Sequence, residues 1–365
     1  MDQYLIKGET LTNIANTIRS KTGSVELITC NEMIEAISGL EQAKFPHKMN
    51  FENLNVAIDT SGIVYGEDMW VAGGVSSDKY TSFDGITWTK LTTNIGMGHT
   101  ARLCANGVWV NNDANGKLYY SIDRCQTWQA CDIDATAYIN VVRHANGHWY
   151  ARDIQNSITH HSVDGKTWEA LTLTSVSGNF LYTGGMYIAI DSTNYKVWKS
   201  TDGVEFVEMS GFPSEMQYGK TVYYHLGKWL CFDSRSGKFA YSEDGGNTWT
   251  LLENSPVYSS ILKFKHQLIG VGGNNYYVSN DGLNWNLIEG LSQKNISNLN
   301  VLDDIVLGVT TGKTIYWSLD LNTWYQGELP EGYTRCNGAY RGDNTLLLLV
   351  RDTNSKFGFI GTKIY

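Results

Sequence analysis

Short alternating runs of apolar and polar residues, separated by turn sequences, cover most of the chain after residue 43. The recurring turn is S-x-D-G with a Trp or Phe a few residues later, first seen as SFDGITW at 82–88. Aromatic runs flank each copy, which predicts two antiparallel strands joined by a hairpin. In such a turn the Asp carboxylate accepts backbone N–H groups and the Gly adopts a positive φ. The seven turn aspartates are Asp84, Asp123, Asp164, Asp202, Asp244, Asp281 and Asp320; in the second and seventh copies Arg124 and Leu321 stand in place of the glycine.

The spacing of these aspartates, 37 to 42 residues, indicates a repeated unit. A second hairpin lies upstream in each unit, as in ARLCANGVWV at 101–110 and VVRHANGHWY at 141–150. Four antiparallel strands about every 40 residues, without helical stretches between them, predict an all-β fold, a β-propeller. All twelve tryptophans occupy repeat positions, which predicts packing between sheets rather than stacking on a ligand.

The number of blades follows from the C-terminal tail. DTNSKFGFI at 352–360 aligns with DSRSGKFAYS at 233–242, so the tail carries the first three strands of another unit but no SxDG turn. Residues 47–53, HKMNFEN, alternate apolar and polar and are placed to supply the missing fourth strand. We therefore expect eight blades closed by an N-terminal strand, with seven blades as the alternative.

The N-terminal segment has a helical period instead. Leu11, Ile14, Ala15 and Ile18 recur with the spacing of one helix face, and Thr29–Glu32 forms a capping box before a second apolar stretch. Two helices this short bury little surface alone and need a docking partner. We expect a two-helix attachment module at 1–43 and the propeller at 44–365.

The amino-acid composition argues against several classes of partner and site. The net charge is -9, with no basic patch, so nucleic acid is not expected. The longest aliphatic run, LLLLV at 346–350, is too short for a membrane span, and no secretory signal is apparent. The six cysteines form no CxxC pair, so reduced thiols are expected. His160 and His161 are adjacent on a predicted strand and point to opposite faces, which argues against a shared metal.

Two stretches resemble known families. LIKGETLTNIANTIRSKTG followed by ITCNEMIEAISGL resembles the N-terminal module of tail and receptor-binding proteins of phages and phage-like particles of Gram-positive bacteria. The S-x-D-G-x-T-W turn resembles the Asp-box (BNR) repeat of sialidases, sortilin-type receptors and other propellers. Together they imply a virion tail receptor-binding protein that is made in the host cytoplasm and acts at the bacterial surface. The implied partners are a bacterial surface polysaccharide and other tail or baseplate proteins.

Catalysis is not implied by the turn motif, which marks a fold. The sialidase signature Arg-Ile-Pro is missing, because none of Pro46, Pro213, Pro256 and Pro330 follows Arg-Ile. We expect no catalytic residues and no cofactor. A glycoside hydrolase, which would need two carboxylates across a sugar, and a structural tail or baseplate spacer stay open as alternatives.

Propeller geometry places the candidate binding residues. The SxDG turns and the turns between strands one and two share one face of the propeller, the turn face. The turns between strands two and three and the blade-to-blade loops share the opposite face, the loop face, where we expect binding because its loops are unequal and aromatic. The candidates are Asp113, Asp153, Asp191, Asp233, Arg102, Arg143, Tyr138, Tyr218 and Tyr258.

The candidate aspartates, with Asp352, follow the second strand of five units. Either each carboxylate caps its own turn, or it accepts sugar hydroxyls or binds Ca²⁺. The arginines lie near first strands, where they could line the central channel; Arg335 occupies a similar place in the last unit.

The attachment module also predicts association, because tail adhesins of the kind it resembles are often trimers. We expect the full chain to form a homotrimer and residues 44–365 alone to be monomeric. Light scattering after gel filtration checks this, and identical monomeric masses would remove the module from that role.

Overall fold

The computed structural model describes most of the chain from residue 49 onward. The described residues are 49–54, 58–74, 79–92, 103–134, 136–171, 173, 179–191, 196–216, 220–342, 345–354 and 356–363. All of them except Met49 and Lys363 belong to one compact unit, Asn50–Thr362. The predicted helical module at 1–43 lies outside the described residues.

Eight four-stranded antiparallel sheets form the blades of the propeller. Blades 1 and 2 contain β2 (Ile58–Gly66), β3 (Met69–Gly74), β4 (Lys79–Ser82), β5 (Thr89–Leu91), β6 (Leu103–Ala105), β7 (Val108–Asn112), β8 (Leu118–Ser121) and β9 (Gln129–Ala130). Blades 3 and 4 contain β10 (Ile139–Ala145), β11 (His148–Asp153), β12 (Ile158–Ser162), β13 (Glu169–Ala170), β14 (Asn179–Thr183), β15 (Met186–Asp191), β16 (Lys196–Ser200) and β17 (Val207–Glu208).

The other four blades follow the same order, except for the last. Blades 5 and 6 contain β18 (Lys220–His225), β19 (Lys228–Asp233), β20 (Lys238–Ser242), β21 (Thr250–Leu251), β22 (Ser260–Phe264), β23 (Gln267–Gly272), β24 (Asn275–Ser279) and β25 (Asn286–Leu287). Blades 7 and 8 contain β26 (Ile296–Leu302), β27 (Ile305–Thr310), β28 (Thr314–Ser318), β29 (Tyr325–Glu328), β30 (Tyr333–Gly342), β31 (Thr345–Asp352), β32 (Phe357–Lys363) and β1 (Glu52–Asn53).

The first strand of each blade is the inner one. First strands of neighbouring blades lie against one another, for example β10 against β14 and β26 against β30. The ring closes because β2 of blade 1 also lies against β30 of blade 8. The eight-blade prediction is confirmed, and the seven-blade alternative is wrong.

Blade 8 takes its outer strand from the other end of the chain. β1 pairs antiparallel with β32, with Glu52 opposite Gly361. The closing strand was expected over 47–53; within the described part of that stretch, 49–53, the paired residues are Glu52–Asn53. A hydrogen bond from Leu54 N to the carbonyl of Phe359 (3.3 Å) extends the pairing. Leu54 then enters the core between blades 8 and 1. The N-terminal strand therefore closes the ring, over a shorter pairing than its alternating pattern predicts.

The core consists of separate layers between neighbouring sheets. In the layer between blades 1 and 2, Met69 and Val71 pack against Trp109, Cys125 and Trp128. Equivalent layers lie between each pair of successive blades from 2 to 7 and between blades 8 and 1. All twelve tryptophans are buried or half-buried, so the packing prediction is confirmed.

Other expectations from composition concern thiols and helices. Five cysteines lie in the described ranges, and all five are free thiols. Within those ranges there is one 3₁₀ turn, Glu289–Leu291, and no α-helix. No helix long and apolar enough to cross a membrane occurs in the described part of the chain.

Removing the closing strand tests its contribution. A chain starting at residue 54 loses β1 and leaves the backbone groups of β32 unpaired at an exposed edge. We expect its melting temperature to fall by several degrees and its solubility to drop, measured by circular dichroism and centrifugation. A chain starting at residue 44 is the matched control and should melt like the full chain. Equal melting of the two shortened chains would contradict this closure.

Candidate functional site

The seven SxDG turns are closed by one repeated hydrogen-bond network. In the first, Ser82 Oγ donates to Asp84 Oδ1 (3.0 Å) and accepts from Gly85 N (2.8 Å). Asp84 Oδ1 also accepts the N–H groups of Ile86 and Thr87 (2.8 and 2.7 Å). The Ser–Asp distance is 2.7 to 3.2 Å across the seven turns. The turn carboxylates are thus used within their own turns, which makes the turn face regular.

These bonds hold the turn aspartates in the ionised state. Backbone hydrogen bonds from Val204 and Glu205 lower the pKa of Asp202 to about 2. Burial raises the pKa of Asp281, but hydrogen bonds from Asn284, Leu283 and Ser279 outweigh it and bring the pKa to about 2. A carboxylate that accepts several N–H bonds is stabilised in its charged form.

The turn glycine fits against the preceding blade. Gly85 has φ of 72° and lies so close to blade 8 that an added Cβ would come within 2.6 Å of Thr345 Cγ2. Thr345 Oγ1 donates to the carbonyl of Asp84 (2.8 Å). Trp88 Nε1 donates to the carbonyl of Gly85 (3.1 Å) and fixes the indole beneath the turn. Each turn therefore also helps to join neighbouring blades.

On the loop face, the candidate aspartates are held in their own turns. Asp113, Asp153, Asp233 and Asp352 each accept the N–H groups of two following residues, at 2.8 to 3.2 Å. These contacts match the first of the two interpretations, in which each carboxylate caps its turn. Asp153 is buried, and His160 Nε2 lies 4.0 Å from its Oδ2. Asp191 is also buried, and the turn that follows it, residues 192–195, lies outside the described residues.

Asp191 lines a cavity of about 380 Å³ between blades 3, 4 and 5. Its wall combines starts of first strands with the end of a second strand, which places it at the loop face. The residues that define it are Arg143, Asn179, Phe180, Asp191, Lys220 and Ser234. The structure thus brings together two residues selected from the sequence, Arg143 and Asp191, and we call this the first cavity.

Lys220 was missed in the sequence, although it occupies the strand position directly opposite Asp233. Its Nζ lies 5.5 Å from the centre of the Phe212 ring, a cation–π distance. The available signal is a lysine at the start of a first strand, the kind of strand near which the candidate arginines lie. A pattern of arginines alone does not reveal it.

The other candidates lie apart from the first cavity's wall or outside the described residues. Tyr138 is half-buried against Gly116, where an added Cβ would come within 2.7 Å of its ring. Tyr258 is 39% exposed on the loop before β22. Arg335 lines a different cavity, between blades 7 and 8. Arg102 and Tyr218 lie outside the described residues.

A histidine pair lies on the turn face, at the junction of blades 3 and 4. His148 Nδ1 and His161 Nε2 are 2.7 Å apart. The His148 ring lies 4.7 Å from that of Tyr187, and an added Cβ on Gly203 would meet its Nδ1 at 2.7 Å. Since His160 lies near Asp153 instead, the prediction that His160 and His161 point to opposite faces is confirmed.

Burial, followed by the positive charge of a protonated His148, lowers the pKa of His161 to about 4. Burial also lowers the pKa of His148, which the nearby Asp202 partly opposes. Both rings are therefore neutral at pH 7, and one donates to the other. Among the described residues, no three His, Cys, Asp or Glu side chains are grouped to hold a metal ion. Both the expectation of no cofactor and the alternative of Ca²⁺ binding at the second-strand aspartates stay predictions.

Comparison with known proteins supports the fold. No family model and no curated protein match the chain. The crystal structure of the computationally designed Ika8 protein gives a TM-score of 0.60 at 11% identity, covering 86% of this chain and 98% of that one. The crystal structure of BamB from Moraxella catarrhalis gives a TM-score of 0.53 at 10% identity, covering 86% of this chain and 97% of that one. The chain is an eight-bladed β-propeller. At these identities the likeness extends to the fold alone.

The histidine pair makes the propeller acid-sensitive. The folded pKa of His161, about 4, lies below the ordinary 6.5, so the unfolded chain binds more protons between these values. The contribution of His161 to the free energy of unfolding is therefore fully present above pH 6.5 and is lost as the pH falls toward 4. We expect the melting temperature to fall over this window, and to fall less in His161→Gln.

The exposed His266 provides the matched control: His266→Gln should keep the full pH dependence. Thermal unfolding from about pH 4.5 to about pH 7.5 covers the histidine window and stays above the range of the lowered turn carboxylates. A dependence that is the same in wild type and His161→Gln would contradict the role of the pair.

Proposed function

We propose that the propeller is a binding module that attaches to a bacterial surface glycan through the first cavity, without cleaving it. The observation that carries this proposal is the meeting of Arg143, Asp191 and Lys220 in one cavity on the loop face. About 380 Å³ falls within the range of small-ligand sites and accommodates a short sugar segment.

The wall of the cavity has the mixed chemistry that carbohydrates require. Phe180 and Ile190 supply apolar surface for the C–H faces of a sugar ring, while Asn179, Thr221 and Ser234 supply polar groups for its hydroxyls. Arg143 is exposed and its Nη1 donates to the carbonyl of Val142 (3.0 Å), which holds the guanidinium near the strand. Few polar groups at fixed positions, set in partly apolar surface, favour binding of one orientation.

Binding without cleavage is supported by the carboxylates available. Glycoside hydrolysis usually needs two, flanking the scissile bond. Asp191 is the one carboxylate among the described residues that line the first cavity. The regular turn face, with its carboxylates occupied in their own turns, favours a supporting role for that side.

The setting we propose is a virion tail. The resemblance of the N-terminal segment to attachment modules supports anchoring to other tail or baseplate proteins, with the propeller turned toward the host cell. Several copies on one particle would strengthen a weak contact through multivalency. A homotrimer fits this arrangement.

Adsorption to host cells and to their extracted polymers tests the proposal. We expect the purified full chain to adsorb, with no released oligosaccharide. Arg143→Gln and Asp191→Asn should each weaken adsorption about tenfold, because each removes a charged hydrogen-bonding group from the cavity. Arg124→Gln is the matched control, since Arg124 lies over Phe83 at the SxDG turns, on the turn face.

Released fragments would move the protein to the glycoside hydrolases. Failure of the wild-type chain to adsorb to any polymer would favour a structural spacer. Unchanged adsorption in Arg143→Gln and Asp191→Asn would place binding elsewhere on the propeller. Melting temperatures of all variants separate loss of a contact from loss of fold.

A further inference from the structure

A second cavity, of about 230 Å³, lies between blades 7 and 8. Its wall includes Ser297 and Asn298 from β26, Thr310 from the end of β27, and Arg335 and Asn337 from β30. It therefore lies at the loop face, three blades away from the first cavity.

The two cavities occupy equivalent places in the repeat. Each is bounded by the start of a first strand, the end of the second strand of the same blade, and the start of the next blade's first strand. In the first cavity these are Asn179, Asp191 and Lys220. In the second they are Asn298, Thr310 and Arg335. The same architecture has thus produced two recesses with different polar groups.

Two β-bulges shape the second cavity. The pairing of β26 with β27 skips Ser297, and that of β30 with β31 skips Asn337, and both skipped residues line the cavity. The corresponding strands at the first cavity, β14 and β18, pair in unbroken register. A bulge redirects side chains and is common beside binding sites.

The side chains form a cationic, hydroxyl- and amide-rich wall. Arg335 is exposed, and its Nε donates to Asn337 Oδ1 (3.1 Å), so the bulge residue orients the guanidinium. Ser297 Oγ donates to the carbonyl of Val309 (3.0 Å). The described wall contains no Asp or Glu, whereas the first cavity contains Asp191. A guanidinium held by one edge presents its remaining edge to a carboxylate or phosphate.

We propose that the second cavity binds the anionic group, carboxylate or phosphate, of a carbohydrate polymer, with Arg335 as the principal ligand and Asn298 and Thr311 as supporting donors. The polymer's identity rests on the proposed function; the anion site itself does not and can be tested with small molecules. A polymer that reaches both cavities would be held at two points three blades apart.

Isothermal titration of the full chain with glucuronate, glycerol phosphate and neutral glucose tests the site. We expect one or both anions to bind, more weakly as salt is raised, and glucose to bind at least about tenfold more weakly. Arg335→Gln should weaken anion binding by about tenfold or more, because it removes the charge and the paired donors. The two anions distinguish a carboxylate site from a phosphate site.

Arg124→Gln, which removes a guanidinium from the turn face, is the control and should leave anion binding unchanged. Loss of binding in Arg124→Gln or Arg143→Gln but not in Arg335→Gln would overturn the proposal, as would equal binding in wild type and Arg335→Gln or the absence of anion binding. Arg335 is exposed, so its variant should melt like wild type. If anions bind but the protein adsorbs to no host polymer, the anion site is supported and the proposed glycan function is contradicted. If the protein adsorbs to host polymer but binds no anion, the anion site is contradicted and the glycan function is supported.

Discussion

The hydrogen bond between the serine and aspartate of each SxDG turn, with the N–H groups they share, is the interaction on which the propeller depends. This network closes the outer hairpin and stabilises the ionised form of the aspartate. It also fixes the position of the glycine that approaches the preceding blade. In the second, fifth and seventh turns the pattern survives changes of sequence. The N–H that the serine accepts comes one position later in two of them, from Cys125 and Gly246, and Leu321 replaces the glycine in the seventh; Cys125 and Leu321 both have φ of 66°. The residue at this position must therefore have a positive φ and lie close to the preceding blade, and glycine does both without strain.

Closure of the ring joins blade 8 to blade 1 and so buries the outer faces of both. A blade has apolar surface on both sides of its sheet, so an open row would leave two faces exposed to water. β1 completes blade 8 from the other end of the chain, while Thr345 binds the turn of blade 1. The two ends of the unit are thus held by both a strand pairing and a side-chain contact. Leu54 joins them by packing in the layer between the same two blades.

The two faces use carboxylates differently. On the turn face, every turn aspartate accepts backbone N–H hydrogen bonds within its own turn. Because the seven turns share this hydrogen bonding, their conformations are similar. On the loop face, Asp113, Asp153, Asp233 and Asp352 cap their own turns, Asp191 lines the first cavity, and Thr310, at the equivalent place in blade 7, accepts the N–H of Gly312. The loops of this face differ from blade to blade, although single loop residues such as Met216 and Val257 also pack in the layers between blades.

The sequence by itself determined the all-β class, the repeat, the strand order, the eighth blade and the burial of the tryptophans. These features rest on bonds between residues two to four positions apart, or on alternation along a strand, and both are visible in a linear pattern. It also placed Arg143 and Asp191 on the correct elements.

Only the tertiary structure decided that Arg143, Asp191 and Lys220 share a cavity, that His148 meets His161, and that Ser297 and Asn337 are bulge residues. The closing strand was predicted too long for the same reason. Distances across blades depend on the twist and register of separate sheets, and a one-residue shift in pairing moves a side chain to the opposite face. No local pattern encodes that shift.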